Sequence, residues 1–276
     1  MESLIQKATG IPSYNEYCYN LKKHLANYKE TVLNIKGNGI WKNNGKEYPH
    51  ILPESQYSKN LIDAGFQVKL CQLTKSKHCD FHHLNSSQAL AINLFGPMKI
   101  KNDYSLIFNQ NDSIPNIKEG ATSEFEHKET DGTKFDFYIN NTGQNIYFEV
   151  KYSESHLATK SKAKANSKRW KAYYEKPMNA IIKEPSKSKE YFFQQYQLWR
   201  NIIRVANNDD LSVFVIPAIR ADFKKVIDEA IEKIRPEYQS RIKTILIDDI
   251  FDRCEKDNRF RTHYSELRRK YIFQFS

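Results

Sequence analysis

The sequence predicts an α/β fold in which a mixed β-sheet is flanked by helices and follows a helical N-terminal region. Residues 211–216 (LSVFVI) form an apolar run with Ser212 as its one polar residue, which is typical of a buried central strand. A second strand-like run, IKTILI at 242–247, follows an amphipathic helical segment at 221–235 that we expect Pro236 to end. Two alternating runs within residues 134–152 indicate a β-hairpin. Because strands alternate with helices along the chain, helices should cover the sheet.

Helix-start signals mark two segments nearer the N-terminus. Residues 13–35 carry apolar side chains on one face and begin at Ser13, and Glu16 stands three residues later, as in a capping box. Residues 86–95 (SSQALAINLF) predict a short apolar helix. Ser86 or the asparagine before it would cap this helix, and the Gly-Pro pair that follows would end it.

The charge balance favours a polyanionic partner. The chain has 276 residues, with Lys+Arg 43 against Asp+Glu 33, a formal net charge of +10 and a pI of about 9.2. For a basic protein of this kind, nucleic acid is the first expectation and an anionic membrane surface the second. Hydrophobic residues make up 39% and charged residues 28%, which is the composition of a folded chain rather than a disordered one.

Cysteine usage and hydropathy favour a cytoplasmic location. The four cysteines are scattered and form no C-x-x-C pair, which fits reduced thiols rather than a disulfide framework. No apolar run approaches the ~18 residues that a membrane span needs. The first residues also lack the pattern of a signal peptide. We therefore expect a cytoplasmic protein with no membrane partner.

A short segment rich in histidine and cysteine does not predict a zinc site. Its members are Cys71, His78, Cys79, His82 and His83. Their spacing fits no zinc motif well, and a second cysteine pair is missing. His82 and His83 are expected instead to be loop or packing residues before the next helix. No Walker A loop, Rossmann glycine signature or H-E-x-x-H motif occurs either, so the sequence encodes no nucleotide-driven translocation.

The hairpin at 134–152 (KFDFYINNTGQNIYFEVKY) has strong turn chemistry at its centre. If Thr142 and Gly143 form a two-residue loop, the pairing that follows places Phe137 opposite Phe148. One face of the hairpin is then wholly apolar and must be buried. The prediction depends on this register, since a slip of one residue would move each side chain to the other face.

The opposite face of the hairpin carries the charges. In this register Asp136 lies opposite Glu149, and cross-strand neighbours are roughly 4.5–5.5 Å apart at Cβ. Two like charges so close destabilise a strand pair, and a divalent cation such as Mg²⁺ compensates because hard cations bind carboxylate oxygens. Lys151 points to the same face as Glu149. An ammonium there can steer or deprotonate a water and balance charge in phosphoryl transfer. The alternative is an ordinary amphipathic hairpin with exposed charges.

Four segments together resemble the PD-(D/E)xK nuclease superfamily, to which restriction endonucleases, recombination nucleases and many phage-defence nucleases belong. The segments are SSQALAINLF, TKFDFYI, IYFEVKYSE and YQLWRN, and they span residues 86–201. An Asp on one strand and a Glu-x-Lys on the next carry the resemblance. The combination is more narrowly similar to a group of restriction-endonuclease-like proteins in that superfamily. The proline that usually precedes the first Asp is absent, and Phe135 stands in its place.

This resemblance implies specific roles for the hairpin residues. Asp136 and Glu149 would bind Mg²⁺, which Mn²⁺ could replace, and the backbone carbonyl of Val150 would be a third ligand. Lys151 would position the attacking water. The chemistry would be in-line attack of a metal-activated water on a phosphodiester. Superfamily members often add an upstream acid to the metal site, and Glu126 is the candidate here, with a solvated surface position as the alternative.

Basic and polar residues after the hairpin are candidate DNA contacts. Basic side chains near a nuclease centre neutralise phosphates without reading sequence. A long helix is predicted over residues 188–207, and one of its faces is a polar stripe. The candidates from the basic segment and from this stripe are Lys160, Lys162, Lys164, Lys168, Arg169, Lys171, Gln194, Gln197 and Arg204. For each of them the alternative is an exposed polar surface.

The sequence and the resemblance together predict a single nuclease domain over residues 1–276. It would comprise an N-terminal region at 1–85, a restriction-endonuclease-like core at 86–250 and a C-terminal extension at 251–276. The predicted activity is hydrolysis of double-stranded DNA in restriction or phage defence, and a homodimer would supply the two active sites that duplex cleavage needs. One alternative is a structure-specific repair nuclease or exonuclease. Another is a non-catalytic nucleic-acid-binding module whose acidic hairpin is inert.

Overall fold

A computed structural model describes most of the chain. The described residues are 13–62, 72–74, 77–108, 117–157, 167–207 and 209–273. The chain divides into two compact units. The first is built from the described parts of Met1–Ile114, Pro217–Ile219 and Ile247–Ser276, and the second from those of Pro115–Ile216 and Arg220–Leu246.

The described elements are named here in chain order. The helices are α1 (Tyr14–Thr31), α2 (Ser87–Lys101), α3 (Ser167–Arg169), α4 (Glu175–Ile181), α5 (Ser188–Gln194), α6 (Tyr196–Ile202), α7 (Ala221–Ile231), α8 (Pro236–Gln239), α9 (Ile247–Lys256) and α10 (Arg261–Tyr271). The strands are β1 (Gly39–Trp41), β2 (Lys46–Tyr48), β3 (Thr122–Lys128), β4 (Lys134–Asn141), β5 (Gln144–Val150), β6 (Leu211–Ile216) and β7 (Ile242–Leu246). Segments of 3-10 helix cover Glu54–Asn60, Pro185–Lys187 and Ile203–Ala206, and a π-helical turn covers Trp170–Tyr174.

The second unit contains a five-stranded mixed sheet in the order β3-β4-β5-β6-β7. Strands β3, β4 and β5 pair antiparallel, whereas β5, β6 and β7 run parallel. Helices of the same unit pack on the sheet through one apolar cluster, in which Trp199, Phe214 and Phe223 are buried. The predicted class, a mixed sheet flanked by helices in an α/β fold, is confirmed.

Strand β6 lies inside the sheet, between β5 and β7. All six of its residues are buried, as predicted from the apolar run at Leu211–Ile216. A strand that is buried on both faces favours apolar side chains, because a buried polar side chain loses its hydrogen bonds to water. Ser212, which is 1% exposed, is the polar exception in β6. Burial of β6 inside the sheet therefore explains its apolar sequence pattern.

The β4–β5 hairpin has the predicted register. Its loop is Thr142–Gly143, and both residues adopt a left-handed backbone, with φ values of 51° and 104°. A two-residue turn of this type requires positive φ at both positions and is favoured because it matches the twist of the strands. Phe137 pairs with Phe148, as the sequence predicted. The six apolar side chains of the predicted inner face are at most 1% exposed.

Helix α1 begins as predicted and ends earlier. The Ser13 hydroxyl accepts a hydrogen bond from the Glu16 amide at 3.2 Å, which is the expected N-cap contact. The helix was expected to continue to residue 35 but ends at Thr31. Asn34 takes a left-handed backbone with φ 55°, and the Ile35 amide turns back to the Lys29 carbonyl at 3.1 Å. This closing pattern is a common helix terminator.

Helix α2 is longer than predicted. Ser86 caps it as expected, by accepting from the Ala89 amide at 3.3 Å. The sequence predicted an end before the Gly-Pro pair, but the helix runs through Pro97 to Lys101. Pro97 has no amide hydrogen, so the carbonyl four residues earlier, that of Asn93, loses its helical partner. The buried His263 ring lies 2.8 Å from that carbonyl and replaces the missing donor, so tertiary packing lets the helix continue.

The predicted helix over 188–207 is interrupted. Gln195, with φ −131° and ψ 52°, separates α5 from α6, and the last turn is 3-10. No proline or glycine causes this break. It accompanies the complete burial of Phe192 and Trp199 in one apolar cluster, so packing overrides the helical preference here.

Helix α7 also ends before its predicted limit at residue 235. It stops at Ile231, and the chain then pairs with the segment after α4 instead of continuing to Pro236. The Lys183 amide donates to the Lys233 carbonyl and the Arg235 amide donates to the Ile181 carbonyl, at 2.9 and 2.8 Å. Pro236 begins the next helix, α8.

None of the helices in the described ranges combines the length and the apolar character needed to cross a bilayer.

The contact between His263 and helix α2, which contains Pro97, predicts that stability depends on pH. Burial lowers the pKa of His263 to about 4, although its bond to the Asn93 carbonyl opposes this shift. In the unfolded chain a histidine has a pKa near 6.5. Below that pH the unfolded state therefore binds a proton that the folded state does not bind. The free energy of unfolding falls as pH decreases from about 6.5 towards 4.

A His263→Gln variant tests this expectation, because glutamine can donate to the same carbonyl but does not titrate. Between pH 7 and pH 5 the wild type should lose about 2 kcal/mol more unfolding free energy than the variant. Urea unfolding followed by circular dichroism at both pH values measures the difference. Equal losses in the two proteins would show that His263 is not buried in its neutral form.

Candidate active site

The predicted site residues lie where β4 and β5 stop pairing. The ladder between these strands ends at Phe137 and Phe148. Beyond that point the Asp136 carboxylate accepts a hydrogen bond from the Val150 amide at 2.7 Å. A side chain thus satisfies a backbone donor of the neighbouring strand, and the Asp136 carboxylate is fixed beside the strand that carries Glu149.

Glu149 and Lys151 form a buried ion pair. Lys151 Nζ lies 2.8 Å from Glu149 Oε1, and the two side chains are 8% and 9% exposed. Gln197, on α6, donates from Nε2 to the same carboxylate oxygen at 3.3 Å. The Lys151 amide donates to the Val215 carbonyl at 2.9 Å, which continues the hydrogen bonding to β6 past the end of β5. Backbone and side chain of this segment are therefore both constrained.

The electrostatic environment disfavours charge on Asp136. Loss of solvent around the carboxylate raises its pKa well above the usual value, and the neighbouring Glu149 carboxylate raises it further. The Lys151 ammonium and the Val150 amide act in the opposite direction but do not cancel these effects. The repulsion that the sequence predicted between Asp136 and Glu149 is therefore present in the folded hairpin.

Lys151 is a charged ammonium in this environment. Burial alone would lower its pKa, but the carboxylates of Glu149, Glu154 and Asp136 outweigh burial and raise the pKa above its usual value. The protonated form of Lys151 is therefore favoured near neutral pH when no metal is bound. Its chemical capacity here is to donate hydrogen bonds and to balance negative charge.

Glu126 lies on β3, across from Asp136, between two regular β3–β4 residue pairs. Its backbone has a positive φ of 56°, which is rare for a residue other than glycine in the middle of a strand. Strained backbone of this kind persists only where the surrounding structure imposes it, and it is concentrated at functional sites. The Glu126 carboxylate also raises the pKa of Asp136. Glu126 thus contributes to the acidic field of the site.

The donor set suits a hard divalent cation. Proteins bind Mg²⁺ through one or two carboxylates, and water and substrate oxygens complete its shell. Asp136 and Glu149 provide two carboxylates that repel each other beside a single ammonium. Within the described ranges, Glu126 does not join them in a group whose ligand oxygens all lie within 4.8 Å of one another. Asp136 and Glu149 are therefore the residues that fit the ion best, and Glu126 remains a more distant acid.

Two contributors to the site have weak or no sequence signals. The Glu154 carboxylate accepts from the Tyr152 amide at 2.7 Å, and its charge supports the ammonium of Lys151. Arg220, which is 2% exposed, donates to the Glu154 carbonyl at 2.9 Å and so braces the turn after β5. Glu154 could be named from its closeness to the Glu-x-Lys motif, whereas nothing local identifies Arg220.

A second buried network ties the start of β4 to the end of α6. Arg204 donates to the Asp131 carboxylate at 2.5 Å and to the Thr133 hydroxyl at 3.1 Å. Its guanidinium also lies 3.7 Å from the Glu129 carboxylate. Asp131 is 3% exposed and accepts in turn from the Thr133 amide at 2.9 Å, which shapes the turn between β3 and β4. The turn residues gave no signal of this ion pair in the sequence.

His127 extends this network along β3. One ring nitrogen contacts the Glu124 carboxylate, and the other lies 2.9 Å from a Glu129 carboxylate oxygen. The ring stacks on Tyr138 at 3.8 Å between centroids. Burial would lower the pKa of His127, but the two carboxylates raise it above the usual value. A protonated ring can donate to both acids at once, so this cluster is an ionic brace for the edge of the sheet.

The candidate DNA contacts fall into three groups. Lys160, Lys162 and Lys164 lie outside the described residues. Lys168, Lys171 and Gln194 are exposed. The remaining three interact with the protein itself: Arg169 donates to the Asp131 carbonyl, Gln197 to Glu149, and Arg204 to Asp131.

The buried position of Arg204 predicts a large effect on stability. In an Arg204→Met variant the Asp131 and Glu129 carboxylates would lose their cation, and breaking a buried pair in this way costs about 3–5 kcal/mol. A Lys171→Met variant is the matched control, since this lysine is exposed. It should change stability by no more than about 0.5 kcal/mol. Urea unfolding of both variants measures the difference, and similar losses would contradict the bracing role of Arg204.

Comparison with known proteins places the chain in a family. No curated protein and no solved structure matches it. A family model described as "Restriction Endonuclease associating with ARP" matches residues 22–272, which is most of the chain and includes the whole sheet with the hairpin site. The mixed sheet flanked by helices is consistent with a restriction-endonuclease-like fold. The chain belongs to the family of restriction endonucleases associating with ARP.

Proposed function

We propose that this protein is a Mg²⁺-dependent DNA endonuclease of the PD-(D/E)xK type that hydrolyses double-stranded DNA in restriction or phage defence. The observation that supports this most strongly is the grouping of Asp136, Glu149 and Lys151 where the β4–β5 ladder ends. Membership of a restriction-endonuclease family supports a nuclease role in general. The metal, the DNA substrate and the defence setting are the parts that we propose.

Asp136 and Glu149 would hold the cation, with the Val150 carbonyl as a further ligand. Bound there, Mg²⁺ or Mn²⁺ would lower the pKa of a coordinated water and stabilise charge on the phosphate. The Val150 amide orients the Asp136 carboxylate, and Gln197 together with Lys151 orients that of Glu149. Both carboxylates are thus oriented by hydrogen bonds, which reduces the cost of arranging them when substrate binds.

Lys151 would act as a cation at the phosphodiester. Without metal, the neighbouring carboxylates hold the pKa of Lys151 above its usual value, which favours the ammonium form. Its three N–H groups can hold the attacking water in line or stabilise the developing charge on a phosphate oxygen. Because Glu149 already accepts one of these hydrogen bonds, the ammonium is oriented towards the face that carries the carboxylates.

The exposed basic residues after the hairpin are proposed to bind the DNA backbone. Lys168 and Lys171 keep their side chains in solvent and belong to the same unit as the hairpin. We keep Lys160, Lys162 and Lys164 as candidates for the same role. Gln194 is exposed but donates to Glu190 at 2.9 Å, so a phosphate would have to compete for its amide. A homodimer would let two such sites cut the two strands of a duplex.

Cleavage of supercoiled plasmid and phage DNA in Mg²⁺ is the first test. Wild type should convert the plasmid to open or linear forms, whereas Lys151→Ala should be slower by about 100-fold or more because it loses transition-state charge stabilisation. Asp136→Asn should be inactive. Asparagine can still accept from the Val150 amide, and it removes the repulsion with Glu149, so this variant should be at least as thermally stable as wild type without metal.

Each outcome of that test has a defined meaning. Discrete fragments would indicate sequence-specific cleavage, and a smear would indicate a nonspecific nuclease. Activity on linear but not circular DNA would favour the alternative of an end-dependent repair nuclease or exonuclease. DNA binding that survives EDTA, with no cleavage by wild type, would favour the non-catalytic binding module. Equal cleavage by wild type and Lys151→Ala would contradict the assigned site.

Mg²⁺ should raise the melting temperature of wild type but not of Asp136→Asn, because only the wild type keeps both proposed ligands.

The salt dependence of DNA binding tests the basic surface. Each phosphate contact contributes about 0.9 to the slope of log affinity against log salt concentration. A Lys168→Gln/Lys171→Gln double variant should therefore lower that slope by up to about 2. Lys225→Gln, at an exposed lysine on α7, is the matched control and should leave the slope unchanged. Fluorescence anisotropy with a short duplex at several salt concentrations measures this, and an unchanged slope in the double variant would contradict the proposed contact.

A further inference from the structure

A cluster of metal-ligand side chains lies in the first unit, outside the candidate active site. His78, Cys79 and Asp80 each offer one ligand atom, and these three atoms lie within 4.8 Å of one another. His83 approaches the same carboxylate from three residues further along the chain. The sequence spacing alone matched no zinc motif because three of the ligands are consecutive residues, which is not the spacing of a common zinc motif.

The distances within the cluster are close to those between ligands of a tetrahedral metal site. Cys79 Sγ lies 3.7 Å from His78 Nδ1. The two oxygens of Asp80 lie 3.9 Å from His78 Nδ1 and 3.5 Å from His83 Nε2. Bonds of about 2.0–2.1 Å to nitrogen or oxygen and 2.3 Å to sulfur place tetrahedral ligands about 3.3–3.6 Å apart. The Cys79–His78 and Asp80–His83 separations are within about 0.2 Å of these values, and the Asp80–His78 separation exceeds them by about 0.5 Å.

Unpaired polar atoms provide an independent observation. Asp80 Oδ1 and His83 Nε2 are both buried, and neither makes a hydrogen bond, although they face each other at 3.5 Å. His83 as a whole is 9% exposed. An unsatisfied buried donor or acceptor costs about 1–3 kcal/mol. A cation that both atoms could coordinate would remove this cost, because their lone pairs would then point at positive charge.

The backbone holds these ligands close to helix α2. The His78 amide donates to the Gln88 side-chain oxygen at 2.8 Å, in the first turn of that helix. The His83 carbonyl accepts from the Asn60 side chain at 2.7 Å. His78 Nδ1 also accepts from the Asp80 amide at 3.2 Å, which keeps a lone pair rather than a proton on this nitrogen. Metal binding would exchange that one weak hydrogen bond for a coordinate bond.

We propose that His78, Cys79 and Asp80 hold a structural Zn²⁺ ion, and that the His83 ring turns to complete the site. His83 contacts Asp80 but lies outside the group of three whose ligand atoms are all within 4.8 Å of one another. One sulfur, two imidazole nitrogens and one carboxylate oxygen are a donor set for a borderline-soft ion and differ from the oxygen-only donors at Asp136 and Glu149. Four protein ligands leave no open position for substrate, so the ion clamps the segment before α2 and takes no part in hydrolysis. The proposal is independent of the proposed nuclease activity.

Cobalt substitution is the test, because Co²⁺ bound to a thiolate gives a near-ultraviolet charge-transfer band that magnesium-type sites do not give. The full-length protein should bind one equivalent of Co²⁺ with this band, and excess Zn²⁺ should abolish it. The same protein purified without chelator should retain zinc in elemental analysis. Asp136→Asn should behave like wild type, which separates this site from the candidate nuclease site.

Substitutions at exposed ligands keep the test independent of folding. Cys79→Ser should lose the charge-transfer band, and Cys18→Ser, the matched control, should keep it. His78→Ala and His83→Gln should each weaken cobalt affinity at least tenfold. Circular dichroism should show an unchanged fold for Cys79→Ser and His78→Ala, since both residues are exposed. The proposal is overturned if wild type binds no cobalt, if the band persists in Cys79→Ser, or if His83→Gln binds as tightly as wild type.

Discussion

The hydrogen bond from the Val150 amide to the Asp136 carboxylate determines the arrangement of the candidate site. It forms where the β4–β5 ladder ends, and it fixes a carboxylate beside the strand that carries Glu149 and Lys151. Two acids are thereby held together in a poorly solvated environment, and the pKa of Asp136 rises well above its usual value. A folded chain keeps such an arrangement only if other interactions offset its cost.

Those offsetting interactions surround the hairpin on several sides. The inner face of the hairpin is fully apolar and buried, so the register cannot slip without exposing it. Strand β6 pairs in parallel with β5 up to Val150 and then accepts the Lys151 amide, which holds the Glu-x-Lys segment straight. The Arg204–Asp131 ion pair braces the start of β4 from the helix side. These contacts, rather than the acidic face, therefore stabilise the hairpin.

The candidate site shows which features a sequence pattern can predict and which it cannot. Alternation and turn chemistry were sufficient for the hairpin register, and hence for placing Asp136 near Glu149. They were sufficient because a two-residue turn and one buried face leave a single consistent pairing. The pattern did not predict the partners of Arg204 and Gln197 within the protein, since it grouped both in a polar stripe as candidate DNA contacts. Each lies on a helix whose orientation depends on the burial of Trp199 and its neighbours, and each donates to an acid of the sheet.

The predicted helix ends were wrong for a related reason. The Gly-Pro pair after residue 95 is a local stop signal, but His263, distant in sequence, supplies the donor that Pro97 removes, and α2 continues. Local sequence determined the class of fold, the central strand β6, the hairpin and its chemical residues, because these depend on periodicity and turn geometry. Only the tertiary structure decided the helix ends and the partners of the buried charges, because these depend on contacts between residues far apart in the chain.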